Sequence, residues 1–578
     1  MKRTITSLLA LLIGLTTLSA QQVMNRFQQR EKKEAKEIAL THKTQRSNVG
    51  AILKHKEATL KETDPAEPVA SKISFSTQKE LNSKISIYVL ATGEVTAEGL
   101  TPATLVVGGE EPTEYTLNAK EVVLKGAITG LSIKEADIDK VDLTQMPTLE
   151  DIDLSGNGLN TVDFSNNNAL KTITIEWANL SSLKLPEATD KLEEIILQGN
   201  YFETFDIAPY TNLTLCDMRY NSLHKLDVSA NKKLAYLALN YNELTAIDVS
   251  QNNALEELAV GFNKLTSIEV GAQSELSYLD CRFNQITALD VSHNPKLKYL
   301  YATGNLKLKT IDITTCPELK EAELSALGLA TLDLSANNKL EVLKVANNKL
   351  TTLDIANLKE LLEFNAAYSP LSSIDFSQNT KLEYIDLSSS KMTSLSLPQL
   401  PGLTDLVIYS NAFDPDEMSR IIEMLPTVPA KDAEGKALEG WVIIQHKGEN
   451  ETLLKDKGFN PIKVYKQDVA KATEKNWKLK IYVPGDGLFT KAKYEDYTQG
   501  IETATAQIAT EGWHVVVNNG RTILMGAREG AAYRVYSYDG RLLLHGNVHS
   551  SAEPIAMDQL DNGTYLVVVE GKTQPVVL

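Results

Sequence analysis

Three cysteines in 578 residues are too few for a disulfide scaffold, so whatever holds this chain together is packing and hydrogen bonding. Aromatic residues make up only 6% of the chain, so where they cluster they carry information. After the first twenty residues no run approaches the ~18 consecutive apolar residues of a membrane-spanning helix, which leaves no transmembrane insertion in the mature chain. Catalytic signatures are missing too. The eight histidines, at 42, 55, 224, 293, 446, 514, 545 and 549, form no metal pair at helical spacing, and there is no Gly-x-Ser-x-Gly elbow or phosphate loop. No cofactor is expected. A net charge of -17 argues against nucleic acid as a partner.

What the chain has is a phrase returning every 21 residues between 126 and 413. It is clearest in Leu255-Glu-Glu-Leu258-Ala-Val260-Gly-Phe-Asn263-Lys-Leu265-Thr-Ser-Ile268-Glu-Val270, that is L-x-x-L-x-L-x-x-N-x-L-x-x-L-x-V, a leucine-rich repeat. Its asparagine falls at 157, 200, 221, 242, 263, 284, 305, 348 and 411, while Ala136, Ala178, Leu327, Ser369 and Ser390 fill the other slots. One repeat cannot bury its own apolar face, so about fourteen coils stack into a solenoid with a continuous core. The L-x-x-L-x-L stretch alternates with period two and predicts a parallel concave sheet, with the asparagines forming a ladder inside the turns. At ~4.8 Å per coil the body is on the order of 65 Å long. The second half of each coil has no room for a helix, so the convex side is read as short strands, turns or 3₁₀ segments. The fold class is mostly β: this solenoid, with a β cap before it and a β-sandwich after it.

Residues 1–20, with Lys2 and Arg3 ahead of an apolar run from Leu8 to Leu18 and a Ser19-Ala20 close, read as a secretory signal peptide. Residues 21–71 form a charged linker, and 72–125 alternate as a small β cap. Region 414–500 opens with a helix capped by Asp414, Pro415 and a Glu417 capping box, then gives scattered strand signals. Residues 501–578 alternate strongly between Asn-Gly and Asp-Gly turns, as a compact antiparallel β-sandwich does. Cys216 and Cys281 take inward positions three coils apart, roughly 14 Å and beyond disulfide reach, and Cys316 lies in a convex turn, so all three are expected as free thiols.

The concave face holds the candidate site. Trp177, Tyr220, Tyr241, Phe262, Phe283 and later Tyr368 immediately precede the ladder slot. Tyr236, Tyr278, Tyr299 and Tyr384 stand six before it, Tyr301 adds one more ring, and Arg219 and Arg282 interleave with Asp217 and Asp280. Two readings stay open: a recognition strip built from the residue types that dominate interfaces, or rings stacked for sheet stability. Asp142, Asp163, Asp206, Asp227, Asp248, Asp290, Asp333, Asp354 and Asp375 share one turn slot and are read as turn caps rather than a metal ladder.

The 21-residue coils with turns such as Leu289-Asp290-Val291-Ser292 resemble internalin-type bacterial surface repeats, which implies an extracellular recognition protein of the adhesin sort. No cysteine ladder accompanies Cys281. The segment containing Tyr538-Asp539-Gly540-Arg541-Leu542 and Leu560-Asp-Asn-Gly563-Thr-Tyr565 resembles the sorting domains of type IX secretion cargo. That implies delivery by a secretion machinery to the outer membrane surface or the medium. Its end departs from the pattern, because Pro575 interrupts the last strand and terminal basic residues are absent. Ubiquitin-transferring leucine-rich effectors need a cysteine beyond the repeats, and none follows Cys316. The expected function is therefore non-enzymatic binding of a protein or glycan on the concave face. The alternatives are a secreted hydrolase using 427–500, with repeats for targeting, and a structural envelope protein.

Overall fold

The computed structural model describes residues 71–446 save 110, 433 and 434, residues 462–483, residues 493–500 save 499, and beyond residue 513 chiefly seven strands. The expected signal peptide and nearly all of the linker lie outside the described residues.

A single sheet of twenty strands carries the solenoid. It begins with antiparallel strands, Leu100–Thr101 on Thr113–Leu117, then Lys84–Ala91, then Ile128–Ile133. From there thirteen successive pairings are parallel, ending at Asp405–Val407. These thirteen turns of about 21 residues are the coils that the period defines. Partners such as Leu237, Leu258 and Leu279 lie side by side at 21-residue steps. Two coils, from Thr172 to Glu194 and from Tyr299 to Glu321, carry one extra residue. The end strands Leu100–Thr101 and Lys493–Asp496 each have one partner, so the sheet is open and coiled rather than closed on itself.

Helix-poor is the right description of the convex side. Between residues 150 and 413 the chain returns through turns, with one short parallel pair, Thr161–Asp163 on Ser182–Lys184. Inward leucines such as Leu234, Leu237, Leu239, Leu255 and Leu258 have no exposed surface, and they belong to one contiguous core that runs from Ile73 to Tyr497. A second sheet at the amino-terminal end, ordered Thr104–Leu105, Val95–Glu98, Glu121–Lys125, Lys72–Thr77, Ile138–Gln145, covers that end of the core.

The other end holds a surprise for a reading by period. Strands Gly440–His446 and Trp477–Val483 continue the parallel sheet after Asp405–Val407, but the returns between them are helices: α1 (Pro415–Met424) and α2 (Lys466–Glu474). These are two further turns, 36 and 37 residues long by their register (Asp405 to Trp441, Trp441 to Lys478), in which the convex segment is long enough to coil. Asp414 caps α1 by accepting the Glu417 N–H at 2.7 Å. The reciprocal half of the expected capping box is replaced: the Glu417 carboxylate accepts from Leu395 N–H of the preceding coil at 2.8 Å and pairs with Arg420, tying the helix to the solenoid.

Beyond residue 513 the described strands form two antiparallel sheets, His514–Asn518, Arg521–Met525 and Ala552–Ile555, and Leu542–Asn547, Ala532–Ser537, Thr564–Val569 and Lys572–Val577. Pro575 does not interrupt the last strand. It sits opposite Leu566 in an edge strand, the one place in a sheet where a residue without an N–H is tolerated.

Candidate recognition surface

The ladder asparagines build the frame of the surface. Asn263 Nδ2 donates to Leu239 O (2.9 Å) and Val260 O (3.0 Å), and its Oδ1 accepts Leu244 N–H (3.0 Å). The same triple pattern recurs at Asn242, Asn284 and Asn305, so each buried turn is satisfied by an amide from the next coil. To aim the asparagine inward, the residue before it takes a left-handed backbone. The φ angles are +53° at Trp177, +55° at Tyr220, +60° at Tyr241, +57° at Phe262, +50° at Phe283 and +55° at Tyr368. Glycine fills the same slot at Gly156, Gly199 and Gly304.

The aromatic residues before the ladder therefore stand on the rim where each strand turns, not on the strands themselves. Strand alternation points to the concave face for them, but it says nothing of a residue that follows the strand. Their backbone N–H groups hold register from coil to coil, Tyr220 to Asn240 O, Tyr241 to Gly261 O and Phe262 to Arg282 O, at 2.7 to 3.0 Å. Tyr220 stacks on Tyr241 (centroids 4.3 Å apart, planes 9° apart), Tyr241 on Phe262 (4.2 Å, 9°), and Phe262 on Phe283 (4.6 Å, 30°). Trp177 reaches Tyr220 at 5.5 Å by lying across Gly199, where a Cβ would fall 2.3 Å from its ring; Phe283 covers Gly304 in the same way. Trp177 is 55% exposed, Tyr220 42% and Tyr241 38%, and burial followed by the neighbouring Tyr220 pushes the Tyr241 phenol up to about 12. Tyr201 and Leu306, each one residue past a ladder asparagine, extend the exposed apolar rim.

The strand residues Tyr236, Tyr278, Tyr299 and Tyr301 do face the concave side, half-buried. Tyr278 touches Tyr299 (6.3 Å) and Tyr301 (5.4 Å), and Arg282 lies 4.9 Å over the Tyr301 ring. The arginines are not free. Arg219 makes a two-armed contact with buried Asp217 (2.9 and 2.6 Å), and Arg282 does so with buried Asp280 (3.0 and 2.9 Å) while also reaching Glu323 at 3.2 Å. Burial works against the Arg282 cation, but Asp280 and Glu323 outweigh it and keep it charged. Lys344 then joins Glu323 (2.9 Å) to Glu363 (3.4 Å), and Tyr301 donates to Glu321 (2.7 Å). The floor is thus a paired network with more carboxylates than cations beside an uncharged rim.

Two features lie outside the expectations from sequence, a row of convex amides and a carboxy-terminal aromatic cluster. A second row of buried amides, Asn167, Asn231, Asn252, Gln273, Asn294, Asn337 and Asn379, staples the convex turns, Asn252 Nδ2 for instance reaching Val228 O (2.8 Å) and Asn231 O (2.9 Å). Their 21-residue spacing was visible. As expected, Cys316 fills a convex turn slot of this row, with Sγ 3.6 Å from Val291 O, and all three cysteines are buried and free. Tyr384, Tyr409 and Ile443 form a buried cluster with Tyr494 at the carboxy-terminal end of the concave face, where Trp441 meets Tyr494 at 5.2 Å and carries Lys480 4.6 Å over its ring.

The recurring aspartates act on their own turns. Asp227, Asp248, Asp290 and Asp333 accept the N–H two residues on at 2.9 Å, and Asp312 belongs with them. Lys184 and Ser165 hold Asp163 down at about 2. Among the described residues no group of histidine, cysteine and carboxylate side chains is placed to hold a metal ion. In the region proposed as a hydrolase centre three described carboxylates are engaged: Glu439 by Lys478 and Trp441, Asp496 by Lys480, Asp468 by Ser419 and Lys471.

The architecture is a leucine-rich-repeat solenoid. Solved structures with the same repeat architecture include a leucine-rich-repeat protein of Leptospira interrogans, 23% identical over 51% of this chain and 87% of its own, TM-score 0.44. The InlJ functional domain of Listeria monocytogenes, which includes a cysteine ladder, is 23% identical over 74% of this chain and 90% of its own, TM-score 0.40. YopM of Yersinia enterocolitica is 21% identical over 55% and 68%, TM-score 0.43. No protein-family model and no curated protein matches the chain.

Proposed function

We propose that this is a non-enzymatic, adhesin-like recognition protein, exported to the cell surface or secreted, that binds a protein or glycan partner through the aromatic rim and the adjoining concave face. The observation that carries this reading is the exposure of the rim, where Trp177, Tyr220 and Tyr241 stand well exposed on left-handed backbone. A bulky side chain on left-handed backbone costs roughly 1–2 kcal/mol relative to glycine, whereas a stacked ring pair returns about 0.5–1.5 kcal/mol. Stacking thus roughly offsets the backbone, and the slot does not demand a ring, since glycine serves it in three coils and Glu135, Ala326, Asn347, Ser389 and Ser410 in five others. Residues held in strained conformations cluster at functional sites. Export rests on the basic and apolar amino terminus and on the sorting-like pattern near the carboxy terminus.

The test is equilibrium binding of the purified mature chain, residues 21–578, to arrays of extracellular protein domains and of glycans. Saturable binding that falls at least tenfold in a Tyr278→Ala/Tyr299→Ala variant, or in a Tyr241→Gly variant, supports the reading. Binding to neither array, or binding that both variants leave intact, overturns it.

A further inference from the structure

We infer that the rim row selects a polypeptide rather than a sugar: an extended, uncharged segment of a partner protein laid along the solenoid axis from Trp177 to Phe283. This deepens the proposed function and rests on it. The argument begins with what the stacking leaves free. A sugar docks on an aromatic face, yet the two faces of Tyr241 are covered by Tyr220 and Phe262, and those of Phe262 by Tyr241 and Phe283. Along the stacked run from Tyr220 to Phe262 what remains outward is a line of ring edges, which carry the positive side of the aromatic quadrupole, with the phenol hydroxyls of Tyr220 and Tyr241. Ring edges and hydroxyls suit aliphatic side chains and backbone carbonyls, both of which an extended polypeptide supplies.

Charge agrees with that choice. Arg219 and Arg282 flank the row but are spent on Asp217 and Asp280, so the rim offers no free cation for an acidic sugar or a phosphate. An acidic segment would lose its water here without gaining a partner, and a basic one would meet carboxylates already bonded to Arg219, Arg282 and Lys344. Length agrees as well. The row crosses five coil steps, about 24 Å at ~4.8 Å per strand, which is the reach of roughly seven residues of extended chain. Gly199 and Gly304 define its ends, because a side chain at either would collide with Trp177 or Phe283 and prevent the terminal rings from lying down. Along such a segment alternate side chains face the row, so apolar residues should recur with period two.

The probe is a displayed library of random nine-residue peptides, selected against the whole mature chain and counter-selected against a Tyr241→Gly/Phe262→Gly variant. Glycine is the right replacement because the slot already holds it in other coils, so the variant loses rings without added backbone strain; an unchanged melting temperature verifies that it folds. The expected result is enrichment of peptides with apolar residues at alternate positions and no charge between them, binding the variant at least tenfold more weakly. Enrichment of charged peptides, of peptides that bind the variant equally well, or of none overturns the inference. So does a glycan-array signal that the glycine variant abolishes. In that last case the proposed recognition function stands and only the polypeptide assignment falls.

Discussion

At the scale of single residues, the leucine core and the aromatic rim make opposite demands. Leu258 is fully buried among inward side chains of adjacent coils, so Leu258→Ala should cost about 2–5 kcal/mol through the cavity it leaves, read by denaturant unfolding. Tyr241→Gly should leave stability nearly unchanged, and a loss comparable to that of Leu258→Ala would make the rings packing elements. Asn263→Ala removes three hydrogen bonds to buried backbone and strands their partners, for an expected loss of about 2–3 kcal/mol. Acidity acts through single carboxylates as well. Burial, then Asp151 and Glu193, raise Glu194 to about 7, above its ordinary 4.5. A carboxyl whose pKa is higher when folded keeps its proton in the native state while the unfolded chain has lost it, so its contribution is full below pH 4.5 and is lost as pH rises toward 7. Asp163 works the other way, contributing above 3.8 and losing that contribution as pH falls toward 2. Melting temperature should therefore fall between pH 5 and pH 7.5, and Glu194→Gln should flatten that slope. An unchanged slope would show that Glu194 is solvated.

At the scale of elements, the 21-residue period made the coil legible, because a solenoid repeats one solution to burying an apolar strand and the inward leucines must recur with it. The alternation of Leu258, Val260 and their counterparts sufficed to place the parallel sheet. The left-handed turn was harder to read, since six aromatic residues stand where the backbone favours glycine. The clue was there in Gly156, Gly199 and Gly304 sharing a slot with Trp177 and Tyr241. The final two turns were illegible for a different reason: their convex returns lengthen to accommodate α1 and α2, the period breaks, and the strands around Trp441 and Leu479 lose the spacing that announces the others. As for the candidate site, the rings could be named from spacing, but the pairing of Arg219 and Arg282 with the buried aspartates two residues earlier turns on side-chain direction, which spacing does not give. The free-thiol reading belongs to this scale. Alkylation of the unfolded chain without reductant should modify three cysteines, and fewer would break the register that separates Cys216 from Cys281.

At the scale of the whole molecule, deletion of residues 501–578 should leave the repeats folded, by circular dichroism and unfolding, while stopping surface display and retaining the chain in the periplasm. Normal surface levels of the truncated chain would remove the sorting role. The twenty-strand sheet has a further consequence. A parallel stack whose units add one below another is a growing polymer in miniature, and two such molecules with bare ends would join into filaments. Here one end stops at the two-residue strand Leu100–Thr101, and the other at Lys493–Asp496, whose Glu495 and Asp496 put charge on the last edge. Short and charged edge strands are how sheets refuse new partners. Chain growth is thus terminated at both ends, and each molecule should remain a discrete, countable particle however densely it is displayed.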